Sequence, residues 1–299
     1  MPATDPEIFV ITGTTAVGKT ELALRWAEEN NAEIISCDST TVYRGLDIGT
    51  AKPTVAERAR VPHHGLDLVE PSEKFSVGDY VEFAVRAVED ILARGRRVLV
   101  SGGSGFYLKS FYSPVTDEIV VAPEVRERVE KIAAAGDNFA AEFLRKINPD
   151  GAPDFDWQNP RRVVRALERC LASGKTIAEL RDEMRARTSP FARYRKHTLL
   201  LRRTREDLNE RISMRVAAMI SAGLVDEVKG LVARRGLREG TPAGNAIGYR
   251  ETLAWLKAGE QGGIDALADA IALATRQLAA RQRKWFRTQI PIDEVRDLL

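Results

Sequence analysis

The chain has 299 residues, 45 Lys+Arg against 43 Asp+Glu, a formal net charge of +2 and 44% hydrophobic residues. This composition supports a buried core and excludes a disordered chain, and the length suits one large domain or two modest ones at roughly 100–200 residues each. No apolar run reaches the ~18 residues of a membrane span. Met1-Pro2-Ala3-Thr4-Asp5 lacks the pattern of a secretory leader, and Cys37 and Cys170 are too few for a disulfide framework or a four-ligand zinc site. A cytoplasmic protein with reduced thiols is expected.

Ile8-Phe9-Val10-Ile11 is a short β-branched run ending in Thr12-Gly13, the pattern of a buried strand. A helical pattern runs from Lys19 through Leu22, Ala23 and Trp26 to Glu29, and a second strand covers Glu33-Ile34-Ile35-Ser36 and ends at Cys37-Asp38-Ser39. Val77 to Arg94 predicts a helix with Val81, Val85, Val88 and Leu92 near one face, stopped by Gly95. A third strand, Arg97-Val98-Leu99-Val100, ends in Ser101-Gly102-Gly103-Ser104-Gly105. Strands alternating with helices predict a parallel α/β sheet, whose ligands bind beyond the carboxyl ends of the strands. From about 115 to 200 the pattern is helical, with proline-bearing breaks. A strand returns at His197-Thr198-Leu199-Leu200-Leu201, and the rest reads as helices with loops near 236–246 and 259–263. The expected divisions are 1–114 for the first part of the core, 115–196 for a helical insertion and 197–299 for the core return and C-terminal helices.

Gly13-Thr14-Thr15-Ala16-Val17-Gly18-Lys19-Thr20 fits G-x-x-x-x-G-K-[ST] and lies between a strand and a helix, the context this phosphate loop requires. Its backbone N–H groups and the following helix N-terminus favour a di- or triphosphate. Lys19 adds a mobile charge, and Thr20 a hydroxyl for Mg²⁺. The fold class is therefore α/β, a P-loop NTPase-like parallel sheet flanked by helices, with an inserted all-helical domain. An ordinary ATPase would end a strand in a carboxylate that holds the metal, whereas the third strand ends in Ser101-Gly102-Gly103-Ser104. The second strand does end in an acid. Asp38 is placed to take a proton from an acceptor nucleophile, or to cap a turn. Ser104 suits either a contact to substrate or turn formation. Arg211 and Arg215, four apart on one helix face, suit either a diphosphate clamp or a solvated surface.

Further along, Asp38-Ser39 is followed by Val42-Tyr43-Arg44-Gly45-Leu46-Asp47-Ile48-Gly49-Thr50-Ala51-Lys52-Pro53. That string resembles the signature of the tRNA dimethylallyltransferases, or isopentenyl-diphosphate:tRNA transferases. Matches continue in the family's order with Pro62-His63-His64, Ser101 to Tyr107, Pro123-Glu124-Val125-Arg126, Asn159-Pro160 to Glu168, Gly248-Tyr249-Arg250-Glu251 and Thr275 to Arg287. The resemblance spans the chain from Gly13 to Arg287. It implies transfer of a dimethylallyl group from dimethylallyl diphosphate to N6 of adenosine 37 in the anticodon loop of tRNAs reading codons that begin with U. Diphosphate would be released, with Mg²⁺ required. The resemblance implies Asp38 as general base, Ser104 beside the reacting centre in place of the family's usual Thr, and Arg126 near the reactive base. It implies tRNA contacts from Asp38, Ser39, Thr40 and Thr41, from Arg161, Arg162, Val163, Val164 and Arg165, from Asn245, Gly248, Tyr249 and Arg250, and from Arg281, Gln282, Trp285 and Arg287.

A tRNA anticodon stem-loop as partner fits the distribution of charge better than its total. Residues 1–100 hold 11 Lys+Arg and 16 Asp+Glu, while the remainder holds 34 and 27. Arg193 to Arg205 contains six basic residues and no acid, and Arg276 to Arg287 contains five, interleaved with Trp285 and Phe286. Cationic grooves with stacking side chains hold single-stranded RNA, although a basic run alone is commonly a solvated face. Three positions depart from the family's pattern. Thr41 and Arg161 stand where Gln is common, and Ala280 where Lys is common. Because Gln can pair bidentately with adenine, an altered choice of tRNA is expected. A small-molecule P-loop kinase accounts for Gly13–Thr20 and Asp38 but leaves 276–287 without a role. An RNA-binding module with a vestigial phosphate loop leaves Lys19 and Thr20 unexplained. A monomer is expected, with no membrane association.

Overall fold

The computed structural model describes residues 6–136 and 138–298; Met1 to Asp5, read above for a leader, lie outside the described residues. In chain order the elements are β1 (Glu7–Gly13), α1 (Lys19–Glu29), β2 (Ala32–Cys37), α2 (Val55–Arg60), β3 (His63–His64), α3 (Val77–Ala93), β4 (Arg97–Gly102) and α4 (Gly105–Ser110). Four helices follow, α5 (Pro123–Ala134), α6 (Phe139–Lys146), α7 (Pro160–Ser173) and α8 (Ile177–Ala186). The chain then continues through β5 (Arg195–Arg202), α9 (Arg205–Ser221), α10 (Leu224–Arg235), α11 (Tyr249–Lys257), α12 (Gly263–Phe286) and β6 (Glu294–Asp297).

Two compact units result, one from Met1–Ser113 with Pro190–Leu299 and one from Pro114–Ser189. The second break falls at Ser189–Pro190 rather than near 196. Phe191 and Tyr194 are buried in the core of the larger unit, and Phe191 stacks on Phe111 at 4.4 Å.

The larger unit is built on one sheet of six parallel strands in the order β3-β2-β4-β1-β5-β6. Alternating side chains point to opposite faces of a strand, and both faces are covered. Ile11, Ile34, Leu99, Leu199 and Leu201 pack with Leu24 and Ala27 of α1. Val10, Ile35, Val98 and Val100 pack on the other side with Val88 and Ile91 of α3, Ile212 of α9 and Ile271 of α12. Coverage on both faces explains the continuous apolar runs of β1 and β4. The N-terminus of α3 is closed by a capping box between Ser76 and Asp79, a device worth about 1 kcal/mol.

β6 was not visible in the sequence. Glu294-Val295-Arg296-Asp297 is a mostly polar edge strand, held by a bidentate Arg202–Asp297 pair at 3.0 Å and by Thr198 N–H donating to Asp293 at 2.7 Å. The smaller unit packs α5 to α8 around Val129, Leu144, Val163, Leu167, Cys170 and Ile177. Buried Asn148 joins two of its helices, donating to Leu144 O at 2.7 Å and accepting from Ile177 N at 2.6 Å.

The long loop after β2 is anchored by Lys52, whose side chain is fully buried and bonds Tyr43 O at 2.8 Å, Asp47 at 2.7 Å and Asp67 at 2.6 Å. Partial burial of Asp67 opposes its charge, but Lys52 and Arg58 outweigh that and hold its carboxyl below the usual range. Removing one partner of a buried pair leaves the other uncompensated. Lys52→Met should therefore lower stability by about 3 kcal/mol, read as an earlier urea midpoint; an unshifted midpoint would refute the anchoring role.

Candidate active site

The ends of β1, β2 and β4 lie side by side, since β4 pairs with both of the others. Their loops form the floor of a cavity of about 1270 Å³, walled by residues of α9, α11 and α12. Gly13 to Thr20 wraps its base. Ala16 and Gly18 adopt positive φ of 62° and 102°, and Gly18 caps α1. Lys19 Nζ donates to Gly13 O at 3.0 Å and Thr14 O at 2.8 Å. Lys19 as a residue is partly exposed, while its ammonium is held by these two loop carbonyls. Burial lowers its pKa to about 8; the Asp38 carboxylate opposes that fall and the Arg215 charge adds to it. Burial likewise lowers Arg215, against the pull of Asp38. Lys19, Asp38 and Arg215 thus form one electrostatic group.

Asp38 follows β2. Its Oδ1 accepts from Thr40 N at 2.9 Å and from the Thr40 hydroxyl at 2.6 Å. Ser104 is the N-cap residue of α4, but its side chain makes no capping hydrogen bond. Its hydroxyl accepts from Ser39 N at 2.9 Å and donates to Ser39 Oγ at 3.2 Å, tying the β4 loop to the β2 loop. Beside the two uses open to Ser104 in the sequence, its hydroxyl links two site loops.

Arg211 and Arg215 are not a solvated face. Arg211 Nε donates to Ala16 O at 3.0 Å, and Arg215 donates to Thr50 O at 3.0 Å. Arg203, unremarked as a site residue in the sequence, donates to Val17 O at 3.0 Å and pairs with Asp207 at 2.9 Å. Gln282 on α12 bridges two loops, with Oε1 accepting from Thr15 N at 2.8 Å and Nε2 donating to Gly103 O at 3.0 Å. The Thr15 N–H is therefore occupied here, unlike the open loop donor expected of it. The β4 loop is glycine-rich because α12 lies against it. A Cβ at Gly103 would come 2.8 Å from Gln282 Nε2, and one at Gly105 would come 2.8 Å from Trp285.

Several residues expected to touch RNA are placed in the interior. Thr41 is buried, its hydroxyl bonded to Ser36 Oγ at 3.1 Å and to Asp38 O at 3.2 Å. It also lines the cavity. Tyr249 is fully buried and donates to Glu227 at 2.6 Å, while Gly248 is buried and its N–H donates to Glu251 at 2.8 Å. Val163 lies in the core of the smaller unit, with Val164 packed against it. Phe286 is a core residue, whereas Trp285 lines the cavity together with Phe75, Phe106 and Tyr107. The 193–205 run is largely internally paired, Arg193 with Glu89, Arg195 with Glu7 and Arg202 with Asp297.

Other expected residues are exposed. Asn245, Arg250 and Arg281 line the cavity, with Arg250 paired to Glu251. Arg281 and Arg287 have no ion-pair partner among the described residues, and both are exposed. In the smaller unit Arg126, Arg161, Arg162 and Arg165 are exposed. Arg162 pairs with Asp156 and Arg165 with Glu168. Among the described residues no three His, Cys, Asp or Glu side chains gather as a metal site. Thr20 lines the cavity, and its hydroxyl makes no hydrogen bond within the described chain. That donor set fits a Mg²⁺ ligated mainly by phosphate oxygens and water.

Binding of a polyanion beside Lys19 favours its protonated form. At pH 8 an anion that does not itself titrate there, such as sulfate, should therefore bind with uptake of up to about half a proton, and with an affinity that falls as pH rises further. Calorimetry in buffers of differing ionisation enthalpy reads this directly. Uptake should vanish at pH 6.5 and in Lys19→Met; uptake independent of pH would refute the assignment.

Comparison with known proteins supplies the context of this site. The family model described as IPP transferase matches residues 41–289. A tRNA dimethylallyltransferase of Opitutus terrae is 52% identical over 96% of this chain and 91% of its own length. One from Methylococcus capsulatus is 38% identical over 95% and 90%. A full-length tRNA isopentenylpyrophosphate transferase from Bacillus halodurans superposes with a TM-score of 0.69 at 33% identity, covering 98% of this chain and 90% of that one. A eukaryotic dimethylallyltransferase captured acting on tRNA superposes with a TM-score of 0.82 at 28% identity, covering 98% and 74%. With a phosphate loop, a strand-end carboxylate and a matching relative along nearly all of its length, this chain belongs to the IPP transferase family.

Proposed function

We propose that the chain transfers a dimethylallyl group from dimethylallyl diphosphate to N6 of adenosine 37 in the anticodon loop of tRNAs that read codons beginning with U. The observation that carries this reading is the sharing of one cavity by the phosphate loop and Asp38, with Lys19 and Arg215 electrostatically coupled to that carboxylate. A phosphoryl-transfer site needs no exposed basic helix beside it. The unpaired Arg281 and Arg287 favour a polyanionic acceptor.

The exocyclic amine of adenine is a weak nucleophile because its lone pair is delocalised into the ring. A carboxylate within hydrogen-bond reach raises its electron density and accepts its proton, the role assigned to Asp38. The C1–O bond of the donor breaks with its electron pair leaving on diphosphate, and the N6–C1 bond forms. Lys19, Arg215 and free N–H groups of the loop stabilise the charge growing on the departing oxygens. Bound Mg²⁺, held through Thr20, would neutralise further charge there. The adenine must leave the anticodon-loop stack to reach such a recess. Ser39, Ser104, Asn245, Arg250 and Trp285 would receive it, and Arg281 and Arg287, with Arg126, Arg162 and Arg165 of the smaller unit, would hold the stem-loop backbone. The exposed Arg161 carries the expected change in tRNA choice. We propose a monomer acting in the cytoplasm.

Labelled dimethylallyl diphosphate, Mg²⁺ and unmodified tRNA test the reaction, and tRNA that stays unlabelled refutes it. Asp38→Asn should lower kcat by ~10²- to 10⁴-fold with tRNA affinity nearly unchanged. Equal losses in turnover and binding would make Asp38 an RNA contact instead of a base. Arg281→Ala and Arg287→Ala should each weaken tRNA binding and reduce the slope of log K against log salt by about 0.7 per lost phosphate contact. An unchanged slope would remove both from the phosphate-binding surface.

A further inference from the structure

We infer that Thr40 is a positioning residue that locks the Asp38 carboxylate in one rotamer and leaves a single oxygen for the acceptor amine, an inference that rests on Asp38 being the base. Thr40 approaches the carboxylate twice. Its N–H lies 2.9 Å and its hydroxyl 2.6 Å from the same atom, Oδ1. Among the described residues Oδ2 has no hydrogen-bond partner, and Asp38 lines the cavity. Hydrogen bonds to an ionised acceptor are short and strong, and two on one oxygen oppose rotation about the carboxylate's terminal torsion, which is otherwise broad.

The neighbouring hydroxyls are turned to other partners. Ser39 Oγ is engaged by Ser104 at 3.2 Å, and the Thr41 hydroxyl bonds Ser36 Oγ at 3.1 Å and the main-chain oxygen of Asp38 at 3.2 Å. Of three consecutive hydroxyl residues, Thr40 alone reaches the side-chain oxygens. Its β-branch restricts χ1, so the hydroxyl is held before substrate arrives. In the reaction, the N6 proton passes to Oδ2 as the N6–C1 bond forms and the C1–O pair departs with diphosphate, while Oδ1 stays bonded to Thr40. Without the hydroxyl, rotation brings either oxygen toward the amine and dilutes the reactive geometry. Misplacement of this kind lowers turnover more than binding.

The experiment compares wild type, Thr40→Val, Thr40→Ala and Thr40→Ser under single-turnover and steady-state conditions, with thermal melting as a check on folding. Val keeps the shape and the N–H bond but removes the hydroxyl. The chemical step should slow about 10- to 100-fold in Val and Ala, the loss of one hydrogen bond to a charged group, with KM for tRNA and for dimethylallyl diphosphate within about twofold. Ser should recover most of the rate. Ala keeps the comparison readable if Val perturbs folding. Wild-type rates in Val and Ala overturn the inference, as does a raised KM for tRNA with kcat intact, which would make Thr40 an RNA contact. Failure of Ser to restore the rate also overturns it, assigning the effect to packing of the β-methyl. Wild type that labels no tRNA would instead refute the function proposed above, so the two failures are distinct.

Discussion

The site depends on cations held by neutral oxygens. Lys19 bonds Gly13 O and Thr14 O, Arg211 bonds Ala16 O, and Arg215 bonds Thr50 O. A cation paired with a carboxylate would be neutralised; one steadied by a carbonyl keeps its charge for a ligand. Asp38 is the acid coupled to this group, and it lines the same cavity. The depressed Lys19 pKa reflects that imbalance, because burial without full compensation disfavours the charged form.

Helix α12 turns that cradle into a defined geometry. Its Ile271, Ala272, Ala279 and Phe286 are core residues, so its position is set by burial. From that fixed base Gln282 reaches both the phosphate loop and the β4 loop, and Trp285 lies over Gly105. Its exposed basic residues then stand at a cavity whose depth the same helix defines. The phosphate loop, the β4 loop and the exposed basic residues consequently meet on one helix, and a polar bridge of this kind specifies the relative placement of two loops more sharply than apolar packing can.

Legibility in the sequence followed the strength of local patterning. β1, α1, β2, α3 and β4 were readable because each combines an apolar period with a Gly or capping signal at its end. β6 was not, since a four-residue polar edge strand owes its pairing to Arg202 and Asp293 rather than to an apolar run. Motif position identified the site loops but not the direction in which each residue faces. Tyr249 and Thr41 sit inside motifs that resemble RNA-contacting segments, yet Tyr249 serves Glu227 and the Gly49 N–H, and Thr41 serves Ser36. The basic run from Arg193 was misleading for a similar reason, because its partners Glu7, Glu89 and Asp297 are distant in sequence.

The sequence by itself determined the class of fold, the phosphate loop, the strand-end carboxylate and the uneven distribution of charge, all properties set by residues within a few positions of one another. Tertiary structure alone decided which hydroxyl holds Asp38, which arginines steady the loop and which basic residues remain unpaired. Those outcomes depend on parallel strands bringing β1, β2 and β4 to one edge and on α12 returning across it. Hydrogen bonds act over about 3 Å, so no spacing along the chain can reveal a partner that only the packed sheet brings within reach.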